Sequence, residues 1–420
     1  MTTSTAPTTP ESVQGSGSVG AEFRGYLARL RGGDTGSVPA VLGLVALVIL
    51  FTVLRPDSFA NRGNFANLLT QSVAIIFIAM GLVFVLLLGE IDLAAGFTAG
   101  TAAAVMAVLS TQRGFAWPVA VLGAVVTGAV IGLLIGLLVA RLGIPSFVVT
   151  LAFFLGLQGV LLQVIGTGGT IPVRDTTLVA IMNENLSPLL GWLLLLVIVL
   201  GYAAVTVFGV LKRRRADLPV VSPLVIAFKI GALAVLLAIA TYVLNQERGQ
   251  KSAFVDNSLS GVPIAVPIVV VLLVLLTFVL NRTAFGRHVY AVGGNAEAAR
   301  RAGINVGRIK IACFVIGSTL AAVGGVMLAS RLNSVSPATG GSVTLLLAVA
   351  AAVIGGTSLF GGKGRVVDAV LGGLVIAVIN NGLPLITEES GIQFIVTALV
   401  LLLAASVDAI ARRRTLATGR

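Results

Sequence analysis

From Leu68 to Leu88 the chain reads LLTQSVAIIFIAMGLVFVLLL, twenty-one residues without one Asp, Glu, Lys or Arg. An α-helix needs about 20 such residues to cross the hydrocarbon core of a bilayer. Working outward, eleven more apolar runs are separated by breakers. The twelve candidate spans are roughly 38–54, 68–88, 93–111, 116–140, 146–165, 188–211, 223–244, 262–280, 310–330, 343–359, 366–386 and 391–411. The glycines and short connectors of the last three suit broken or re-entrant helices. Composition agrees. Of 420 residues 57% are hydrophobic and 10% charged, with a mean hydropathy of +1.06. A soluble domain carries about 25% charge, so these proportions exclude a soluble enzyme, a disordered protein and a nucleic-acid-binding protein. The expected fold class is an all-α polytopic membrane protein.

The net charge of +12 lies in short clusters between apolar runs, without a basic face or interleaved aromatics. Topogenic charge explains this better than nucleic acid. With both termini and every second loop on one side, 20 Lys and Arg fall there against 7 opposite, and Lys229 lies within a span. The positive-inside rule makes the richer side, and both termini, cytoplasmic. A multi-pass protein of the cell membrane is expected.

Residues 1–37 are rich in Ser, Thr, Pro and Gly and read as a flexible cytoplasmic tail. No signal-peptide pattern opens the chain. A transmembrane body is expected over 38–411, followed by a basic tail at 412–420. Cys313 is the single cysteine and His288 the single histidine, so neither an internal disulfide nor a Cys/His metal cluster is expected. Gly128, Gly132 and Gly136 share one helical face, for tight bundle packing or, alternatively, for lining a pore.

One loop, 281–310, is long enough to fold. Asn295 is a good N-cap, and Glu297 suits the positive helix N-terminus. Ala296, Ala298 and Ala299 favour helix, Arg300 and Arg301 complement its C-terminal end, and Gly303 can stop it in a left-handed turn. A helix this short does not stand alone in water. It packs on the membrane surface or fits a groove on a cytoplasmic partner.

This loop resembles the cytoplasmic coupling loop of sugar-importing ABC permeases, the ribose, arabinose and xylose permease family. Four further segments share the resemblance, in order: Gly89-Glu90-Ile91-Asp92-Leu93 with Gly96, Ile144-Pro145-Ser146-Phe147-Val148-Val149-Thr150-Leu151, the run from Ile354 to Gly364, and Asn380-Asn381-Gly382. The match covers about residues 64 to 411. The segment 188–244, two apolar runs joined by Lys212-Arg213-Arg214-Arg215, resembles the extra hairpin of the xylose-type branch. One departure is Ala94-Ala95, where the family usually has Ser-Val; this bears on selectivity. The resemblance implies a type II ABC importer fold like that of the vitamin B12 importer. It also implies a second permease copy forming a homodimer, a cytoplasmic ABC ATPase subunit and an extracytoplasmic binding protein that delivers a monosaccharide. No cofactor is expected.

Polar residues inside apolar runs are costly and mark function. Glu90 and Asp92 are read as a hinge with capped helix ends, as a sugar or gate contact, or as a proton relay. Gln71, Gln158, Gln163, Asn380 and Asn381 are candidates for the substrate path, with interhelical hydrogen bonding as the alternative. Phe153 and Phe154 could line it too. Gly355–Gly362 and Gly89–Gly96 share the skeleton G-x-x-x-L-x-x-G, either an echo of an internal repeat or chance in a chain with 50 glycines. Gly361-Gly362-Lys363-Gly364 lacks the offset glycine and hydroxyl of a phosphate-binding loop, so ATP hydrolysis is expected of a partner rather than of this chain. Competing readings are an ion-coupled secondary transporter, which would work alone, and a membrane enzyme, for which no catalytic cluster is found.

Overall fold

The structure, a computed structural model, describes residues 38–218, 220, 222–249, 251–252, 255–256, 259–400, 402 and 406. The expected tails at 1–37 and 412–420 and most of 401–411 lie outside the described residues.

The chain opens with α1 (Val38–Leu54), a short α2 (Pro56–Phe59) and the long α3 (Arg62–Leu87). After a non-helical connector comes α4 (Ala95–Ala107), prolonged by a π turn over Val108–Gln112, then α5 (Trp117–Arg141) and α6 (Ser146–Ile165). The strand β1 (Ile171–Pro172) and α7 (Thr176–Asn183) lead to a hairpin of α8 (Pro188–Arg215) and α9 (Pro223–Asn245). Next are β2 (Lys251–Ser252), β3 (Val255–Asp256), α10 (Ala265–Arg282), α11 (Ala284–Gly294), α12 (Ala296–Arg301) and α13 (Val306–Leu332). The strand β4 (Ser334–Val335), α14 (Gly341–Gly355), α15 (Val366–Ile386) and α16 (Ser390–Val400) complete it. Two small antiparallel pairings, β1 with β4 and β2 with β3, are the sheets among the described residues.

Eight of these helices (α3, α5, α6, α8, α9, α10, α13 and α15) are long and apolar enough to cross a membrane; α1, α14 and α16 are shorter apolar helices. The first eleven expected runs each overlap a helix, though not all are full-length, and of the last, 391–411, the described part is helical. Span 93–111 is a 13-residue α-helix followed by a π turn. Span 343–359 stops at Gly355, where Gly356 takes φ +119° and turns the chain out of the helix. Both shortened helices begin against each other: a methyl group on Gly340 (φ +81°) would lie 2.7 Å from the Gly100 nitrogen.

Helix α3 is the axis. Apolar on every side, it is buried along most of its length, as a helix without a polar face must be. Helices α13, α14 and α15 pack around it. Helix α5 lies on α13 through the predicted glycine stripe. A methyl at Gly128 would sit 2.6 Å from the Ser318 carbonyl oxygen, and one at Gly136 2.9 Å from Ile311 Cα. The stripe therefore serves packing rather than a pore. The α8–α9 hairpin sits at the periphery; in α8 Gly191 alone is buried.

One correction concerns the loop 281–310. It holds two helices, not one. Helix α11 precedes the expected short helix, capped by Thr283, whose Oγ1 accepts from the Gly286 N–H at 3.2 Å.

Candidate functional site: a glycine junction and a polar cavity at opposite ends of the bundle

Helix α12 is built as its residues dictate. Asn295 Oδ1 accepts the Ala298 N–H at 2.9 Å, satisfying an orphan donor of the first turn. Gly303 (φ +83°) closes a Schellman turn, its N–H reaching the Arg300 carbonyl and that of Ile304 the Ala299 carbonyl, both at 3.0 Å. Glu297 pairs with Arg300 at 2.8 Å and Arg301 at 3.3 Å. Ala299 is buried and Ala296 half-buried, whereas Glu297, Ala298, Arg300 and Arg301 are exposed. The helix thus rests on an alanine face and presents charge outward.

What it rests on leads to the bundle axis. Helix α3 ends in a second Schellman turn: Gly89 (φ +73°) donates to the Leu86 carbonyl at 2.9 Å and Glu90 to that of Val85 at 3.3 Å. The carbonyl of Leu87, left over by that turn, accepts the Gly362 N–H at 2.9 Å. The end of α11 wedges into the same place. Gly293 has no room for a side chain, since a Cβ there would strike the Leu87 carbonyl oxygen and lie 2.9 Å from the Gly362 nitrogen. A Cβ at Gly361 (φ +84°) would lie 2.8 Å from the Gly293 oxygen and 2.9 Å from the Gly89 nitrogen. Three backbones therefore meet at near-contact distance. Tyr290 of α11 adds a tie, its hydroxyl donating to the Gly364 carbonyl at 2.7 Å. Burial, and then the nearby Asp368 carboxylate, push the Tyr290 phenol upward, which keeps that donor protonated.

The connector 88–94 carries the predicted acids. Glu90 pairs with Lys310, in the first turns of α13, and both side chains are largely buried. Asp92 is 1% exposed. Its Oδ1 accepts the Ala94 N–H at 2.8 Å, while Oδ2 has no hydrogen-bond partner among the described residues. Burial pushes the Asp92 carboxyl up to about 6, with the Ala94 and Ala95 backbone donors pulling the other way. Ile91 between them is held by α6: Ser146 Oγ accepts its N–H and Thr150 Oγ1 donates to its carbonyl, each at 3.2 Å. The segments 89–96, 144–151 and 354–364 and the 281–310 loop thus converge on one end of the bundle.

The opposite end holds a cavity of about 160 Å³. Gln71 of α3, Arg331 of α13, Thr344 of α14 and Asn380 of α15 line it together with five aliphatic residues. Two predicted path residues, Gln71 and Asn380, are brought together here. The other three are elsewhere. Gln158 and Gln163 are exposed on α6. Asn381, which is buried, pairs reciprocally with Asn64 through amide hydrogen bonds of 2.7 and 2.8 Å. Gly382 then gives Phe51 of α1 a flat seat, since a Cβ there would be 2.6 Å from its ring. Phe154 stacks edge-on against Phe97 at 4.7 Å, and His288 is half-buried on α11.

Sequence reasoning missed Tyr290, Gly293, Lys310, Arg331, Thr344 and Asn64. Helix α11 alone had a usable signal: Phe285, Val289 and Val292 recur at helical spacing behind Thr283.

A family described as branched-chain amino acid transport system / permease component matches residues 64–178 and 176–405. The xylose transport system permease protein of Escherichia coli K12 is 33% identical over 375 residues, 89% of this chain and 92% of that protein. The corresponding protein of Haemophilus influenzae is 33% identical over 368 residues, 88% and 94% of the two chains. The ribose import permease protein of E. coli K12 is 32% identical over 373 residues, 88% and 92%. No solved structure matches the chain. Matched along nearly its whole helical body, the chain belongs to this family of membrane transport permease components.

Proposed function

We propose that this chain is the membrane-spanning subunit of an ATP-driven importer for a monosaccharide, with xylose or another pentose as the leading substrate. The relatives named for xylose and ribose transport support the substrate class. The observation that carries the mechanism is the helix α12, capped at both ends, outwardly charged and joined through Asn295 to α11, whose end meets the bundle axis at the glycine junction.

In this reading two copies of the chain form the pathway, each with twelve crossings in a type II importer architecture and with cytoplasmic termini. A cytoplasmic ATPase subunit grips Glu297, Arg300 and Arg301. Its closure on ATP moves α11–α12 as a lever. The Gly293–Leu87–Gly362 contact and the Glu90–Lys310 pair pass that movement to α3, to α13 and to the connector between α14 and α15. Close-packed elements of this kind shift between discrete arrangements rather than deform. An extracytoplasmic binding protein releases sugar at the opposite end, where Gln71 and Asn380 face the cavity. Glu90 and Asp92 then serve as hinge residues.

The test is uptake in proteoliposomes. Sugar entry is expected only when ATP, the ATPase subunit and the binding protein are all present. Asp92, a buried carboxyl with one unpartnered oxygen, favours a second reading as an ion-coupled transporter. Uptake driven by a pH gradient with this chain alone would select that reading and remove the first.

A further inference from the structure

We propose that the cavity bounded by Gln71, Arg331, Thr344 and Asn380 is a way-station that holds a neutral sugar by adjacent hydroxyls as it crosses. The inference rests on the importer reading and adds to it a place, a chemistry and two residues, Arg331 and Thr344, that the sequence did not point to.

The four side chains come from four different helices yet face one space. Among the described residues none of them makes a hydrogen bond or an ion pair with the protein. All four are half-buried; polar groups that face a cavity within a membrane bundle are completed by water or by a ligand, and here four are collected rather than scattered. Their hydrogen-bonding capacity specifies what completes them. The two amides and the hydroxyl both donate and accept, and so do the hydroxyls of a sugar. The guanidinium only donates, in a fixed fork, and so selects two neighbouring acceptor oxygens. No Asp or Glu borders the space, and Arg331 disfavours a cation. The rest of the wall is aliphatic, without an aromatic platform for stacking, so the hold is weak and release is easy. Gln71 lies 16 residues along α3 from Leu87, about 24 Å from the junction at 1.5 Å per residue. A ligand seated there is remote from the lever yet touches α3 and α13, which both pack against α11.

The experiment uses the whole complex in proteoliposomes, with radiolabelled D-xylose and D-ribose as probes. Initial uptake is measured beside ATP hydrolysis stimulated by the loaded binding protein. Thr344→Val, isosteric and expected to fold, is compared with Asn380→Ala and Arg331→Lys. The expected result is uptake reduced about tenfold, the scale of one or two lost hydrogen bonds, with stimulated hydrolysis within about twofold of the parent. Deoxy analogues of the probe should compete less well than the probe in the parent, and the variants should lose that discrimination. Unchanged uptake and discrimination in all three variants would overturn the way-station while leaving the importer reading intact. Parallel loss of uptake and hydrolysis in every variant would also overturn it, since a purely structural role does that. Competition by sugar acids but not by neutral sugars would replace the neutral ligand with an anion. Failure of the parent complex to show ATP-dependent uptake would instead remove the importer reading itself.

Discussion

Asp92 and Lys310 show how single side chains set the behaviour of the junction. The Asp92 carboxyl, ordinarily ionised above about pH 4, is pushed by burial to about 6. Between those values the folded chain holds a proton that the unfolded chain has released, so stability falls as pH rises through this window and levels off above it. Thermal unfolding in detergent should therefore occur at lower temperature at pH 7 than at pH 5, and Asp92→Asn should remove most of that difference. An unaltered pH slope in the variant would show that another group sets it. The Glu90–Lys310 pair makes a second prediction. Lys310→Met strands a largely buried carboxylate and should cost about 2 kcal/mol, whereas Glu90→Gln with Lys310→Met together should cost less than either single change. Denaturation of all three variants closes that cycle, and additive losses would mean the pair is not coupled.

At the scale of elements, α12 and the glycine contact beneath it can be separated by substitution. Gly303→Ala forces a side chain into φ +83° at a cost of about 1 kcal/mol, and Asn295→Ala removes a cap worth about the same. Both should lower sugar uptake per ATP hydrolysed without preventing membrane insertion; a normal transport-to-hydrolysis ratio in both would argue against the lever. Gly293→Val drives a branched side chain into the Leu87 carbonyl and should abolish coupling and weaken the fold together, as read by uptake and thermal unfolding. These contrasts also show what the sequence could and could not reveal. The long helices were legible because a bilayer demands unbroken apolar runs, and α12 because its cap, charges and stop are local in sequence. The convergence of residues 89–96, 144–151, 293 and 360–364 was not, because each segment alone is a plausible turn. Only packing shows that the carbonyl orphaned by one turn is the acceptor for another. Gln71 and Asn380 were found by polarity alone, and the same criterion gave Gln158 and Gln163, which face outward. Arg331 escaped because its place at a helix end looked like ordinary interfacial charge.

For the molecule as a whole, the α8–α9 hairpin lies at the edge of the bundle. Asn185 and Pro263 face each other in an antiparallel bridge, so the chain already returns to its starting point around the hairpin. Excising residues 188–260 with a short linker removes two crossings, preserves the direction of every later helix and should leave ATP-dependent uptake in place; loss of uptake with normal insertion would assign the hairpin a role in transport. The Asn64–Asn381 pair has a different bearing, on how the protein is made. The partners are 317 positions apart, so the earliest helices are made long before the last arrive, and until then the Asn64 amide has only its local bond to the Phe59 carbonyl. During synthesis the start of the axis helix is held by local bonds alone until almost the entire polypeptide has left the ribosome, and any chain that stops short of Asn381 never gains the distant one.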